Sequence, residues 1–260
     1  MNVELKLLIV LRHLLLIGLW LFAYYLLFYY IHPSLTKGLS SWQDLRLPNG
    51  YIPGDPIGNS IVAIHIYTGF IVSVIGPLQF SSYIRLSDPA LHKNLGRLFL
   101  VSAILASLAG LYMVWVREHN GTITQAISIS FGGLLTLIFS YFAWRYAKAR
   151  YIKRHQVFAL LVFCTANSAW FLRIGYQFWN YLRLGKIGHD SSVFAGKYFT
   201  LWTFGSYLLP VMAVLAYMYF KTINSKSTQM FNNAFLFLTI CFLGLGIINA
   251  FWGMWLPRIR

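Results

Sequence analysis

The feature that most constrains this chain is a succession of apolar stretches, each long enough to cross a bilayer and almost free of charge. A spanning helix needs roughly 20 mostly apolar residues, and by that measure about seven segments qualify. They lie near residues 8–31, 59–82, 96–116, 124–144, 156–181, 198–220 and 233–255. Lipid offers the backbone no hydrogen-bond partner, so uninterrupted runs of this kind must close their bonds internally, as helices. Charged residues make up only 10% of the chain and mean hydropathy is +0.62, which excludes a soluble globule. The expected fold is all-α, a polytopic transmembrane bundle of about seven helices forming one domain over residues 1–260. An anchor helix and an outer loop occupy 1–58, a four-helix core 59–181 and two additional helices 198–260. The first run outlasts a signal-peptide core, and no small-residue cleavage site follows "FYYIHP", so it reads as a retained anchor.

The formal charge of +15 would suggest nucleic acid in a soluble protein, but the basic residues fall in short connectors between apolar runs, with no nucleic-acid-binding signature. With the N-terminus inside, the inner connectors hold Lys6, Arg12, Arg85, Lys93, Arg97, Arg145, Lys148, Arg150, Lys153, Arg154, Lys221 and Lys226. The outer ones hold Lys37, Arg46, Arg117, Arg183, Lys186, Lys197, Arg258 and Arg260, together with Asp44, Asp55, Glu118 and Asp190. The short run "RYAKARYIKR" is costly to translocate and fixes the expectation: N-terminus in, C-terminus out, in a bacterial cytoplasmic membrane. The connector at 32–58 carries Pro33, Pro48, Pro53 and Pro56 and reads as an ordered outer loop, with Trp42 either at the membrane surface or covering a cavity. Small residues recur every fourth position at Ser102, Ala106 and Gly110 and at Ser128, Gly132, Thr136 and Ser140, which marks the third and fourth spans as close neighbours. Pro210 and the Gly76-Pro77 pair are expected to kink their spans. Cys164 and Cys241 sit in apolar runs without metal-ligand spacing and read as small core residues.

Polar groups at membrane depth are costly and therefore informative. His65 stands above Gly69, Ser73 and Gly76 on one face of the second span, a strip with almost no side chains. A flat ligand coordinated by the imidazole needs such clearance, and so does a closely packed helix with the histidine hydrogen-bonded inside the bundle. Arg173 lies about 12 Å from the outer end of the fifth span, with Tyr176 and Gln177 continuing its face outward. It either snorkels to the surface or grips carbonyls or a bound anion. No span contains Asp or Glu, which excludes a ferritin-like dimetal site and the intramembrane carboxylate of many ion-coupled carriers. Metalloprotease and hydrolase-elbow motifs are likewise missing.

On the inner side Asp88 and Pro89 open the third span as N-cap and first helical residue, which places His92 in its first turn. His155 opens the fifth span at the same level. Paired histidines on separate helices at one level are what haem b ligation requires, and they are equally what headgroup-binding interfacial residues look like.

The blocks "HIYTGFIVSVIGPLQF", "ALHKNLGRLF" and "RHQVFALLVFCTANSAWFLR" resemble those of a broad family of bacterial multi-pass membrane proteins catalogued as a domain of unknown function. The resemblance covers about residues 60–180 and implies that His65, Gly76, Pro77, Gln79, His92, Gly96, Arg97, His155 and Arg173 are family positions. Lys93, Phe99 and Gln156 depart from the family pattern. Two functional classes follow from the residues. One is a b-type cytochrome-like redox protein, with haem on His92 and His155 and a quinol or second ligand near His65 and Arg173. The other is a cofactor-free transporter, sensor or assembly factor that binds membrane lipid, an anion or another small molecule at the same residues.

Overall fold

A computed structural model describes residues 2–45, 49–117, 121–182, 197–223 and 225–259. Pro48, Arg46, Glu118, Arg183, Lys186, Asp190 and Arg260 lie outside the described residues. Among the described residues the regular structure is all helical. In chain order the helices are α1 (Val3–Leu26), α2 (His32–Lys37), α3 (Pro56–Ile75), α4 (Ser82–Ser87), α5 (Pro89–Trp115) and α6 (Ile123–Lys148). They continue with α7 (Ile152–Ala166), α8 (Ser168–Tyr181), α9 (Lys197–Ile223), α10 (Lys226–Ala250) and α11 (Leu256–Ile259). Six segments are long and apolar enough to cross a membrane, or seven when the bent pair α7 and α8 counts as one.

Local sequence accounts for the helix ends. Asp88 accepts from the Leu91 N–H at 2.8 Å with Pro89 behind it, and Asp55 does the same for Gly58 ahead of Pro56. Thr122 and Gln125 form a reciprocal capping box at α6. Prolines act in three ways. Pro210 sits inside α9, which continues through it as one helix. The Gly76-Pro77 pair ends α3 instead of kinking it, and Pro77–Phe80 forms a 3-10 turn. Gly76 is needed there because a Cβ would stand 2.7 Å from the Val72 carbonyl and 3.1 Å from the Phe99 ring. Pro33 and Pro257 each stand two residues beyond a π-helical turn, Leu27–Ile31 and Phe251–Trp255, whose last carbonyl-to-amide bond reaches back five residues. A proline ring crowds the carbonyl four residues before it, and widening the preceding turn relieves that crowding.

The expected fifth span is broken. Asn167 separates α7 from α8, which meet at 57°. Its side-chain amide donates to the Phe163 carbonyl at 2.9 Å, in competition with its own backbone N–H, the local bonding that makes asparagine a poor helix interior. The two halves still form one crossing, because their partners along α9 run in a single antiparallel order. Leu161 and Cys164 pack with Val211, Trp202 donates to the Leu172 carbonyl at 3.1 Å, and Tyr176 and Trp179 meet Phe199 and Tyr198. A segment that turned back into its own leaflet would reverse that order at Asn167.

The end of the bundle carrying the α1 N-terminus is called inner below. Helix α5 lies against α3 and α6, and α6 against α7 and α9. The third and fourth spans, α5 and α6, are close neighbours as expected, but their small-residue stripes are not what joins them. The α5 stripe meets α3, with Gly110 against the His65 ring, while the α6 stripe meets α9, where Gly132 lies under the Tyr207 ring. It is Gly133, one position and about 100° further round, that faces α5 at Leu111. Helices α1, α8 and α10 form a second group. The Trp170 indole donates to the Gly18 carbonyl at 3.1 Å, and Gly246 lies against the Ile174 backbone. Large apolar side chains such as Leu201, Phe237 and Trp252 point outward, as lipid-facing surfaces require.

Candidate functional site

Three polar groups stand out, one at the inner end and two at the outer end. The inner group is assembled by the 3-10 turn after α3, the first turns of α5 and the start of α7. His155 Nδ1 bonds the Ala143 carbonyl of α6 at 2.9 Å. A carbonyl only accepts, so the proton is on Nδ1 and the neutral ring presents a lone pair at Nε2. His92 is within electrostatic reach of both His155 and Arg85. Its Nδ1 is buried without a hydrogen-bond partner. Gln79 lies against Gly96, one turn beyond His92, where a Cβ would come within 3.1 Å of its Oε1, and its amide Nε2 is also buried and unpaired. Arg12 of α1 reaches the Phe80 carbonyl at 3.4 Å beside it. Two unsatisfied buried polar atoms at one end of the bundle call for a partner. Arg97 is exposed, about 100° round the helix from Gly96.

At the outer end His65 Nδ1 donates to the Ala106 carbonyl of α5 at 2.8 Å, with Gly110 against its ring. The space beside Gly69 is open to 4 Å. Arg173 is half-buried and does not climb outward. Its Nη1 donates to the Ala169 carbonyl at 2.8 Å, one turn deeper, and its guanidinium lies over the Phe22 ring at 5.3 Å from the centroid. The backward tilt of helical side chains explains this choice of partner. Arg173 exerts an electrostatic influence on His65 and on Tyr30, so the structure draws the two sequence candidates into one neighbourhood. Tyr176 packs edge-on to Phe199 at 6.0 Å, and the Gln177 amide oxygen lies beside Gly253.

Sequence reasoning missed the other members of this end. Tyr25 and Tyr30 share a hydroxyl–hydroxyl bond at 3.2 Å, Arg258 donates to Tyr25 at 3.1 Å, and Trp255 stacks on Tyr25 and packs at a tilt against Phe22, with no exposure at all. Trp42 neither floats at the surface nor merely connects; it is fully buried, and its indole donates to the Tyr30 carbonyl at 2.8 Å. Apart from Trp42 of the outer loop, these residues come from the first and last spans, and no local pattern announces their meeting. A third group, also missed, fastens the outer loop. Arg117 is buried and donates to Asn59 Oδ1 through both terminal nitrogens at 3.1 Å, with Asp55 at 3.9 Å. Asn59 in turn bonds both backbone groups of Ile52 at 2.9 Å. The presence of both an acid and a base among the outer connectors was the available signal. No group of three or more metal-ligating side chains occurs among the described residues.

Comparison with known proteins adds one match. A family model described as "Predicted membrane protein (DUF2306)" matches residues 62–203, more than half of the chain. The match takes in His65, Gln79, His92, His155 and Arg173 and leaves out α1, α10 and α11. No curated protein and no solved structure matches the chain.

Proposed function

Because the chain belongs to the DUF2306 family of membrane proteins, whose description assigns no activity, we propose from its own side chains that it is a b-type cytochrome-like redox protein. The observation that carries this reading is the unpartnered, buried imidazole nitrogen of His92, a ring within electrostatic range of His155. The donor set fits a b-type haem: two imidazoles come from α5 and α7, and one is locked by a carbonyl in the tautomer that leaves Nε2 free. A hydrogen bond from the far ring nitrogen to a carbonyl is how ligating histidines are oriented. When bound, the haem would supply a one-electron couple. The chain's own contributions would be ligation by His92 and His155 and orientation of His155 by the Ala143 carbonyl. Arg12 and Arg85 place positive charge at the same rim, where propionates would be neutralised. The distribution of basic connectors supports an inner rim in the bacterial cytoplasm, with N-terminus in and C-terminus out.

The experiment is optical. Protein purified in mild detergent is expected to show a Soret band and a low-spin spectrum that His92→Ala or His155→Ala abolishes. His13→Ala should leave it intact, because His13 bonds its own helix at the Ile9 carbonyl. Low-spin spectra retained in both variants would remove these residues as ligands, and a protein that stays colourless in excess haem would end the cytochrome reading. The buried, unpaired amide of Gln79 favours a second reading in that event: a cofactor-free carrier, sensor or assembly factor with a pocket for a polar headgroup or anion.

A further inference from the structure

Among the described residues of the outer end, Arg173 and Arg258 bring positive charge and hydrogen-bond donors to a cluster of aromatic side chains. Arg173 spends one N–H on a helix carbonyl and lays the rest of its guanidinium over Phe22. Arg258 spends one on Tyr25. The Trp255 ring packs against both Phe22, which lies under Arg173, and Tyr25, which bonds Arg258 and Tyr30, so the two charges flank one aromatic cluster. Trp255, wholly buried between them against Phe22 and Tyr25, has an indole N–H with no acceptor. The ion pairs among the described residues, Arg117 with Asp55 and Lys221 with Glu4, involve neither arginine. A guanidinium cannot release its proton, and eight residues in from the end of α8, about 12 Å, it needs a counter-charge.

We propose that Arg173 and Arg258, together with Trp255 and Tyr30, form a binding site for a phosphate-class oxyanion at the outer leaflet. Phosphate matches the inventory: several oxygens can take two guanidinium forks, a phenol and an indole N–H at once, and Arg–phosphate pairs are strong and directional. The aromatic walls of Phe22, Tyr25 and Trp255 suit the boundary between headgroup and acyl chain, where rings of this type concentrate. The same chemistry is offered by a phospholipid headgroup and by free phosphate. The site lies apart from His92 and His155 and stands whether or not haem binds there.

The test is a thermal melt of the purified full-length protein in detergent, followed by intrinsic tryptophan fluorescence. Three probes are titrated: inorganic phosphate, phosphatidylglycerol, and diacylglycerol, which lacks the phosphate, all against chloride at matched ionic strength. We expect phosphatidylglycerol to raise Tm by about 3 °C or more and diacylglycerol to have no effect. An equal rise with inorganic phosphate assigns the site to the free anion, and a rise with phosphatidylglycerol alone assigns it to the lipid. Arg173→Gln and Arg258→Gln should each raise the half-saturating concentration at least about tenfold. Should either glutamine variant fail to fold, Arg173→Lys and Trp255→Phe take its place and are expected to weaken the response by a smaller factor. No response to either phosphate probe in the wild-type protein, or an undiminished response in the variants that fold, overturns the proposal.

Discussion

At the scale of single residues, closeness between helices is set by what a missing side chain allows. Gly175 lies directly beneath the Trp202 indole, which is held by its bond to the Leu172 carbonyl and cannot retreat. Gly175→Ala should therefore cost about 1–3 kcal/mol, read as a lower Tm, because a methyl forced into a packed contact displaces side chains from their rotamers. Gly69→Ala is the internal control. Nothing lies within 4 Å of the position its Cβ would take, and alanine is the better helix former, so the change should be neutral or stabilising by up to about 1 kcal/mol. A destabilising Gly69→Ala would mean that the gap beside His65 is filled in the working protein. The same scale explains which polar residues were legible beforehand. His65, His92, His155 and Arg173 stand out because a polar side chain in an apolar run is conspicuous. Arg258 and Tyr25 do not, since basic and aromatic residues at a helix end are ordinary membrane-interface composition.

At the scale of elements, hydropathy located the spans because lipid imposes one length on all of them, and the caps at Asp88 and Asp55 set their starts. The break at Asn167 escaped that reading, since one polar residue barely lowers the hydropathy of a 26-residue run yet supplies a competing local hydrogen bond. The facing of the small-residue stripes also escaped it. Periodicity reveals which residues share a face and is silent about which neighbour that face meets. The bent pair gives the decisive topological test. Reporters fused after Ile152 and after Ser225 should both be cytoplasmic, and one after Asp190, a position outside the described residues, should be extracytoplasmic. If α7 and α8 were instead a re-entrant loop, the reporter at Asp190 would share the side of Ile152 and the one at Ser225 would lie opposite. That outcome would also overturn the ladder of contacts along α9.

At the scale of the whole molecule, the histidine-bearing helices and the closing helices depend on each other. Trp170 of α8 is buried only because α1 covers it and offers the Gly18 carbonyl, and Phe22 of α1 is the ring beneath Arg173. A chain beginning at residue 49 should accumulate poorly and melt lower than the full protein, and co-expression of residues 1–45 as a separate peptide should restore it. Equal stability of the shortened chain alone would show that α1 is an accessory. The two π-helical turns add a consequence for how this architecture tolerates insertion and deletion. Each is a helix turn carrying one residue more than the α-helical count, and each sits immediately before outer-end residues that converge, Ser34 on Tyr67 and Arg258 on Tyr25. Loss of one residue from Phe251–Trp255 would let the wide turn close to a regular α-helix, because the residue removed is the one that turn had absorbed, and Arg258 would keep nearly the same direction toward Tyr25. Loss of one residue from the α-helical part of α10 would instead swing Arg258 about 100° around the axis and away from Tyr25. A one-residue length difference among related chains at this turn should for that reason be read as the wide turn present or absent, with the outer end left in place.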